Sequence, residues 1–133
     1  MRVLADAGPL VALLYARDTG HEWAVETLSR LKAPLTTCDA VIAEACFLLA
    51  KSNDGADKLL RLFERGVLIS AHAGADHQAI RSLMHKYRDV PMSFADACLV
   101  QLCEQERSVV WTLDSDFHVY RRARKERIEL VTV

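Results

Sequence analysis

The stretch SFADACLVQLCEQERSVVWTLDSDF, residues 93–117, decides the fold. Ser93 is a helix-capping residue type, and the segment after it reads as a helix to about Glu106. Val109 to Leu113 is then β-branched and aromatic, as a buried strand requires. A helix feeding directly into a strand is one unit of an alternating pattern. Working outward, Ala75 to Tyr87 reads as a helix with Ile80, Leu83, Met84 and Tyr87 on one face. Val67 to Ser70 reads as a strand before it. On the other side, Phe117 to Lys125 reads as a short basic helix and Ile128 to Val133 as a closing strand.

The same alternation fills the first half. Arg2 to Ala5 is a strand, and Gly8 to Arg17 a helix with Pro9 suited to its first turn. After the break at Thr19-Gly20, His21 to Lys32 is helical, with Trp23, Ala24, Leu28 and Leu31 at helix spacing. Pro34 to Thr37 is a strand. Asp39 can cap a helix to about Lys51. Ser52 to Gly55 turns, and a further helix runs to Arg65, where Gly66 stops it. About five strands separated by helices specify an α/β fold, with a parallel sheet covered on both faces and right-handed crossovers.

Composition limits what the chain can be. It has 133 residues, 51% hydrophobic and 26% charged, which suits a single globular domain over 1–133. The net charge of −1 gives no global attraction for nucleic acid, so any basic surface must be local. The opening MRVLADAGPLVALLYARD is broken by Asp6, Gly8 and Pro9, and reads as strand, turn and helix rather than a leader. No apolar run approaches the length of a membrane span. Cys38, Cys46, Cys98 and Cys103 form no C-x-x-C pair and sit in or beside apolar stretches, as reduced thiols of a cytoplasmic protein would.

Four acids stand where stability would not put them. Asp6 follows the first strand. Glu44 is one turn from Val41 and Leu48, on what reads as the apolar face of its helix. Asp96 is the only charge between Phe94 and Cys103, and Asp114 follows the strand ending at Leu113. Burying an unpaired carboxylate costs several kcal/mol, and the nearest base, Arg2, is at the far end of the strand from Asp6. A cation from solvent is the simplest compensation. Oxygen-only ligands favour Mg²⁺ or Mn²⁺, and such ions at a sheet edge suit phosphoryl chemistry. Each acid alone has an ordinary reading as a cap, a turn or an exposed helix position. A calcium loop at Asp114-Ser115-Asp116 lacks the expected Gly and later Glu.

In order and spacing these residues resemble the PIN-domain family, whose bacterial members include the VapC-type toxins. The resemblance rests on Asp6 after an apolar strand, Glu44 in Val41-Ile42-Ala43-Glu44, Asp96 in Ser93-Phe94-Ala95-Asp96-Ala97, and Thr112-Leu113-Asp114-Ser115-Asp116-Phe117. It spans essentially the whole chain. It implies a three-layer α/β/α fold and metal-dependent hydrolysis of phosphodiester bonds in single-stranded RNA. Asp6, Glu44, Asp96 and Asp114 would form the catalytic quartet. Asp6, Asp96 and Asp114 would hold the metal with Asp116 as an accessory ligand, while Thr112 and Ser93 would orient the site. His21 matches a recurrent family histidine, with a packing role. His72, His77, His85 and His118 read as solvated.

RNA binding would need positive surface. Arg121, Arg122, Arg124 and Lys125, continued by Arg127, form the clearest basic run, and Arg81, His85, Lys86 and Arg88 a second. Either run also suits a solvated helix face. The resemblance further implies a small antitoxin partner and a homodimer, for which Leu10 to Ala16 and Trp23 to Leu31 offer apolar surface. A receiver-like signalling domain expects paired acids after the first strand, but Asp6 stands between Ala5 and Ala7. A serine nucleophile lacks a matching base and elbow motif. The remaining rival is a PIN fold used as an RNA-binding or regulatory module with little activity.

Overall fold

A computed structural model describes residues 1–123 and 125–133. Five parallel strands form the central sheet: β1 (Arg2–Ala5), β2 (Leu35–Thr37), β3 (Leu68–Ser70), β4 (Ser108–Trp111) and β7 (Glu129–Val131), in the order β3-β2-β1-β4-β7. The helices are α1 (Ala7–Leu14), α2 (His21–Arg30), α3 (Asp39–Leu48), α4 (Gly55–Glu64), α5 (His77–Lys86) and α6 (Phe94–Gln105). The chain walks outward from β1 to β3, then crosses back to place β4 on the other side of β1. The β1–β4 junction is therefore the switch point, where open α/β sheets leave a crevice at the strands' carboxyl ends.

The core explains this arrangement. In α6, Ala95 to Val100, Leu102 and Cys103 are all buried, because the helix packs against α5, α3 and β4 at once. Trp111 is fully buried; its ring stacks on Trp23 at 6.0 Å and its indole N–H donates to Thr27 Oγ1 at 2.9 Å. This fixes α2 to the sheet. His21 contributes a similar tie, its Nδ1 lying 2.7 Å from the Ala12 carbonyl oxygen. The four cysteines are free thiols, and burial pushes Cys98 and Cys103 up to about 11.

Several sequence-based expectations change. Phe117 to Lys125 is not a helix. A 3₁₀ turn at Ser115–His118 leads into β5 (Arg121–Arg122), which pairs antiparallel with β6 (Glu126–Arg127). Phe117 and Tyr120 are both fully buried, a three-residue spacing that suits the tighter turn. Beyond them the run holds no apolar anchor to seat a helix, and Ala123 has a left-handed φ of 44°. Arg124 lies outside the described residues.

Asp54, the residue before α4, has a φ of 56°. This angle and that of Ala123 lie in the left-handed region, which a non-glycine residue enters at some cost, and an α-helix could not continue through Ala123. Asp39 is not a cap either: it is the first residue of α3, and the extended Cys38 precedes it. Nor does α1 offer an exposed patch, since Leu10, Val11 and Ala12 are buried. On α2, Val25 is exposed but Trp23 and Leu28 are half-buried. Large apolar side chains reach solvent instead on α3 and α4, at Phe47, Leu48 and Leu60.

Candidate active site

Asp6 ends β1 and caps α1. Its Oδ1 accepts the Ala7 N–H at 2.8 Å and its Oδ2 accepts the Thr112 hydroxyl at 2.8 Å. The Thr112 oxygen in turn accepts the Asp114 N–H at 2.9 Å, and Asp114 Oδ1 accepts the Asp116 N–H at 2.9 Å. The ends of β1 and β4 are thereby tied together across the switch point. Register does the rest, because Ala5 lies opposite Trp111.

Asp96 arrives from α6. Ser93 and Asp96 form a capping box, with the Ser93 N–H donating to Asp96 Oδ2 at 3.0 Å and the Asp96 N–H donating to Ser93 Oγ at 3.0 Å. The Tyr120 hydroxyl donates to the same Oδ2 at 3.3 Å. Sequence reading missed Tyr120, which sits among arginines far along the chain from Asp96. Its phenol is pushed up, by burial first and then by Asp96, Asp116 and Asp114, so it stays a donor.

The acids raise one another. Asp6, 6% exposed, is pushed up to about 6, mainly by burial; its two hydrogen bonds oppose the rise, and Asp96 and Glu44 add to it. Burial, then Asp96 and Asp114, raise Glu44. Burial is also the largest cause for Asp96, with Asp114 adding to it. Asp6, Glu44, Asp96 and Asp114 thus lie within each other's fields. Glu44 departs from expectation in being exposed: Val41 and Ala45 make the buried stripe of α3, continued by Leu49 just beyond it, and Glu44 lies outside that stripe. Asp116 touches the group through its backbone N–H and lies within charge range of Tyr120.

Among the described residues no ion pair reaches any of these carboxylates. Nor do three His, Cys, Asp or Glu side chains there already stand in an arrangement that would itself hold a metal ion. The donor set nonetheless fits a hard divalent cation, being all oxygen, mutually repelling and without a base. The basic run is placed differently from expectation in one respect. Arg121 donates to the carbonyls of His118, Val119 and Tyr120, and Arg122 to the Cys103 carbonyl and the Glu126 carboxylate. Lys125 is exposed.

The PIN domain family matches residues 3–123, and the chain belongs to that family. Among solved structures it is similar to VapC20 of Mycobacterium tuberculosis, described as a Sarcin-Ricin loop cleaving toxin, with a TM-score of 0.80, 19% identity and coverage of 88% of this chain and 93% of that one. It is also similar to VapBC2 from Rickettsia felis, bound to a DNA fragment from their promoter, with a TM-score of 0.64, 14% identity and coverage of 99% and 98%. PAE2754 from Pyrobaculum aerophilum matches at a TM-score of 0.52 and 17% identity over 87% and 83% of the two chains. At these identities the structures speak for the fold. No curated protein matches the sequence.

Proposed function

We propose that this chain is a metal-dependent endoribonuclease, the toxin of a toxin–antitoxin pair. The observation that carries the reading is the group of base-free carboxylates from β1, α3, α6 and the end of β4, gathered at the switch point. Asp6, Asp96 and Asp114 would hold Mg²⁺ or Mn²⁺, with Asp116 as an accessory ligand. The ion would supply charge stabilisation at the phosphate and a more acidic water. Thr112 holds the Asp6 carboxylate in place, and Ser93 and Tyr120 hold that of Asp96. Glu44 reaches solvent with a raised proton affinity, so its carboxylate can take the proton of the attacking water. An O–P bond forms as the P–O bond to the leaving ribose oxygen breaks.

The likeness to VapC20 and to VapBC2 supports the toxin role and a small antitoxin partner. A homodimer and an antitoxin would draw on Phe47, Leu48 and Leu60 for apolar contact. No helix among the described residues is long and apolar enough to cross a membrane, and a cytoplasmic location follows from the proposed role. The open arrangement of the acids favours one second reading, an RNA-binding module with little activity. Cleavage of single-stranded RNA separates the two. Cleavage with Mg²⁺ or Mn²⁺ that stops in EDTA is expected of the nuclease. Binding without cleavage under any divalent ion supports the module, and undiminished cleavage in EDTA would rule out the metal mechanism.

A further inference from the structure

The first turn of α6 carries two features on different sides. Asp96 turns into the acidic group, while Phe94, two residues earlier, is 45% exposed. Phe94 lines a cavity of about 580 Å³ whose other lining residues are His77, Ile80, Arg81, Met84 and His85. A second cavity of about 530 Å³ shares Arg81 and His85 and adds Ser82 and Lys86. Ile80, Met84 and Phe94 thus supply an apolar and aromatic part of the lining, and the exposed Arg81 and Lys86 a cationic part.

The ring is held in place. Gly74 has φ +90°, and a Cβ there would lie 2.9 Å from Phe94 Cζ. The Gly74 N–H donates to Gln101 Oε1 at 3.0 Å, tying the loop before α5 to α6. Helix α5, HQAIRSLMHK, contains no acid. Among the described residues Arg81 and Lys86 form no ion pair, whereas Arg2, Arg30, Arg61, Arg107 and Arg122 do.

We propose that the cleft between α5 and the start of α6 is the track for the single-stranded RNA flanking the cleavage point. One base stacks on Phe94, and phosphates lie along Arg81 and Lys86. The proposal rests on the ribonuclease reading. Exposed aromatic rings set in a cationic groove are how single strands are held without reading sequence. Charge complementarity, and an aromatic ring two residues from Asp96 on the same turn of α6, select RNA as the occupant. The second basic run of the sequence thereby gains a role, while Arg121 and Arg122 are spent within the fold.

The test measures binding of a short oligoribonucleotide containing 2-aminopurine, on an Asp96→Asn background that prevents cleavage, beside cleavage rates in the native background. Phe94→Leu should weaken binding about tenfold and lose fluorescence quenching, while Phe94→Tyr keeps both. An abasic nucleotide at the quenched position should remove the difference between Phe94 and Leu. Arg81→Gln should lower the salt dependence by about one phosphate contact. Unchanged binding by Phe94→Leu, with native protein still cleaving RNA, would overturn the track and leave the nuclease reading standing. Loss of RNA binding and cleavage by the native protein would overturn both. If Phe94→Leu instead changes the oligomeric state by light scattering and leaves RNA affinity intact, the cleft is an interface between copies and the proposal fails.

Discussion

Strand β1 joins two opposite electrostatic arrangements. At its start, Arg2 donates to Ser108 Oγ at 3.0 Å and to the Leu102 carbonyl at 2.9 Å, and faces Glu106 at 3.5 Å. Nearby, Arg107 pairs with Glu129 at 2.6 Å. At the other end, among the described residues, Asp6 has hydrogen-bond donors and like charges around it and no ion-pair partner. The first edge is neutralised within the chain, as stability favours. The second is left with negative charge that the described residues do not balance, and such an edge is stabilised by a ligand that brings the missing charge.

Removing a carboxylate from the acidic edge should break the contrast most strongly. Asp96→Asn retains an oxygen to accept the Ser93 N–H, so the fold should stand. RNA cleavage should fall on the order of a thousandfold, and the metal-free melting temperature should stay level or rise. Unfolding of this variant without metal would mean that Asp96 is a structural partner instead.

Asp6→Asn tests the cost of burying the Asp6 charge, to which the neighbouring acids add. The rise of Asp6 from 3.8 to about 6 corresponds to about 3 kcal/mol. The folded state holds the proton more tightly, so in metal-free protein stability falls as pH rises from about 3.8 to about 6 and stays reduced above. Asp6→Asn should remove that loss. Urea unfolding in EDTA should show the variant more stable by up to about 3 kcal/mol at pH 7.5, with the advantage gone near pH 3.5. A variant no more stable at pH 7.5 would count against an unbalanced edge.

Tyr120→Phe should have a middling effect. It deletes one donor to Asp96, costing about 1 kcal/mol in thermal unfolding, with cleavage reduced several-fold. The neutralised edge should respond least. Glu106→Gln leaves Arg2 its Ser108 and Leu102 acceptors, so stability should change by less than about 1 kcal/mol and cleavage not at all.

How far the sequence foretold these edges follows from the range of the forces. Asp96 was legible because it is a lone charge in an apolar helix, and Asp6 and Asp114 because acids follow buried strands. The central strands β1 and β4 were legible because their burial leaves apolar runs. Glu44 was singled out by a reading onto the apolar face of its helix, which its exposure overturns, so that only the family resemblance still carries it. Tyr120 was not, because its partner is distant in sequence. The β5–β6 pair was missed because two-residue strands show no periodicity. Whether Arg121 and Arg122 face solvent or carbonyls is decided by tertiary packing that a charge run does not encode.

The most direct test of the acidic edge is calorimetric titration of Mn²⁺ into metal-free protein near pH 6, in two buffers of different ionisation enthalpy. Saturable binding with release of protons is expected, because part of the Asp6 population is protonated there and must ionise to ligate. Asp6→Asn should bind more weakly and release fewer protons, and Asp96→Asn should bind more weakly. No binding by the native protein at millimolar Mn²⁺, or binding unchanged in both variants, would contradict the assignment of this edge as a metal site.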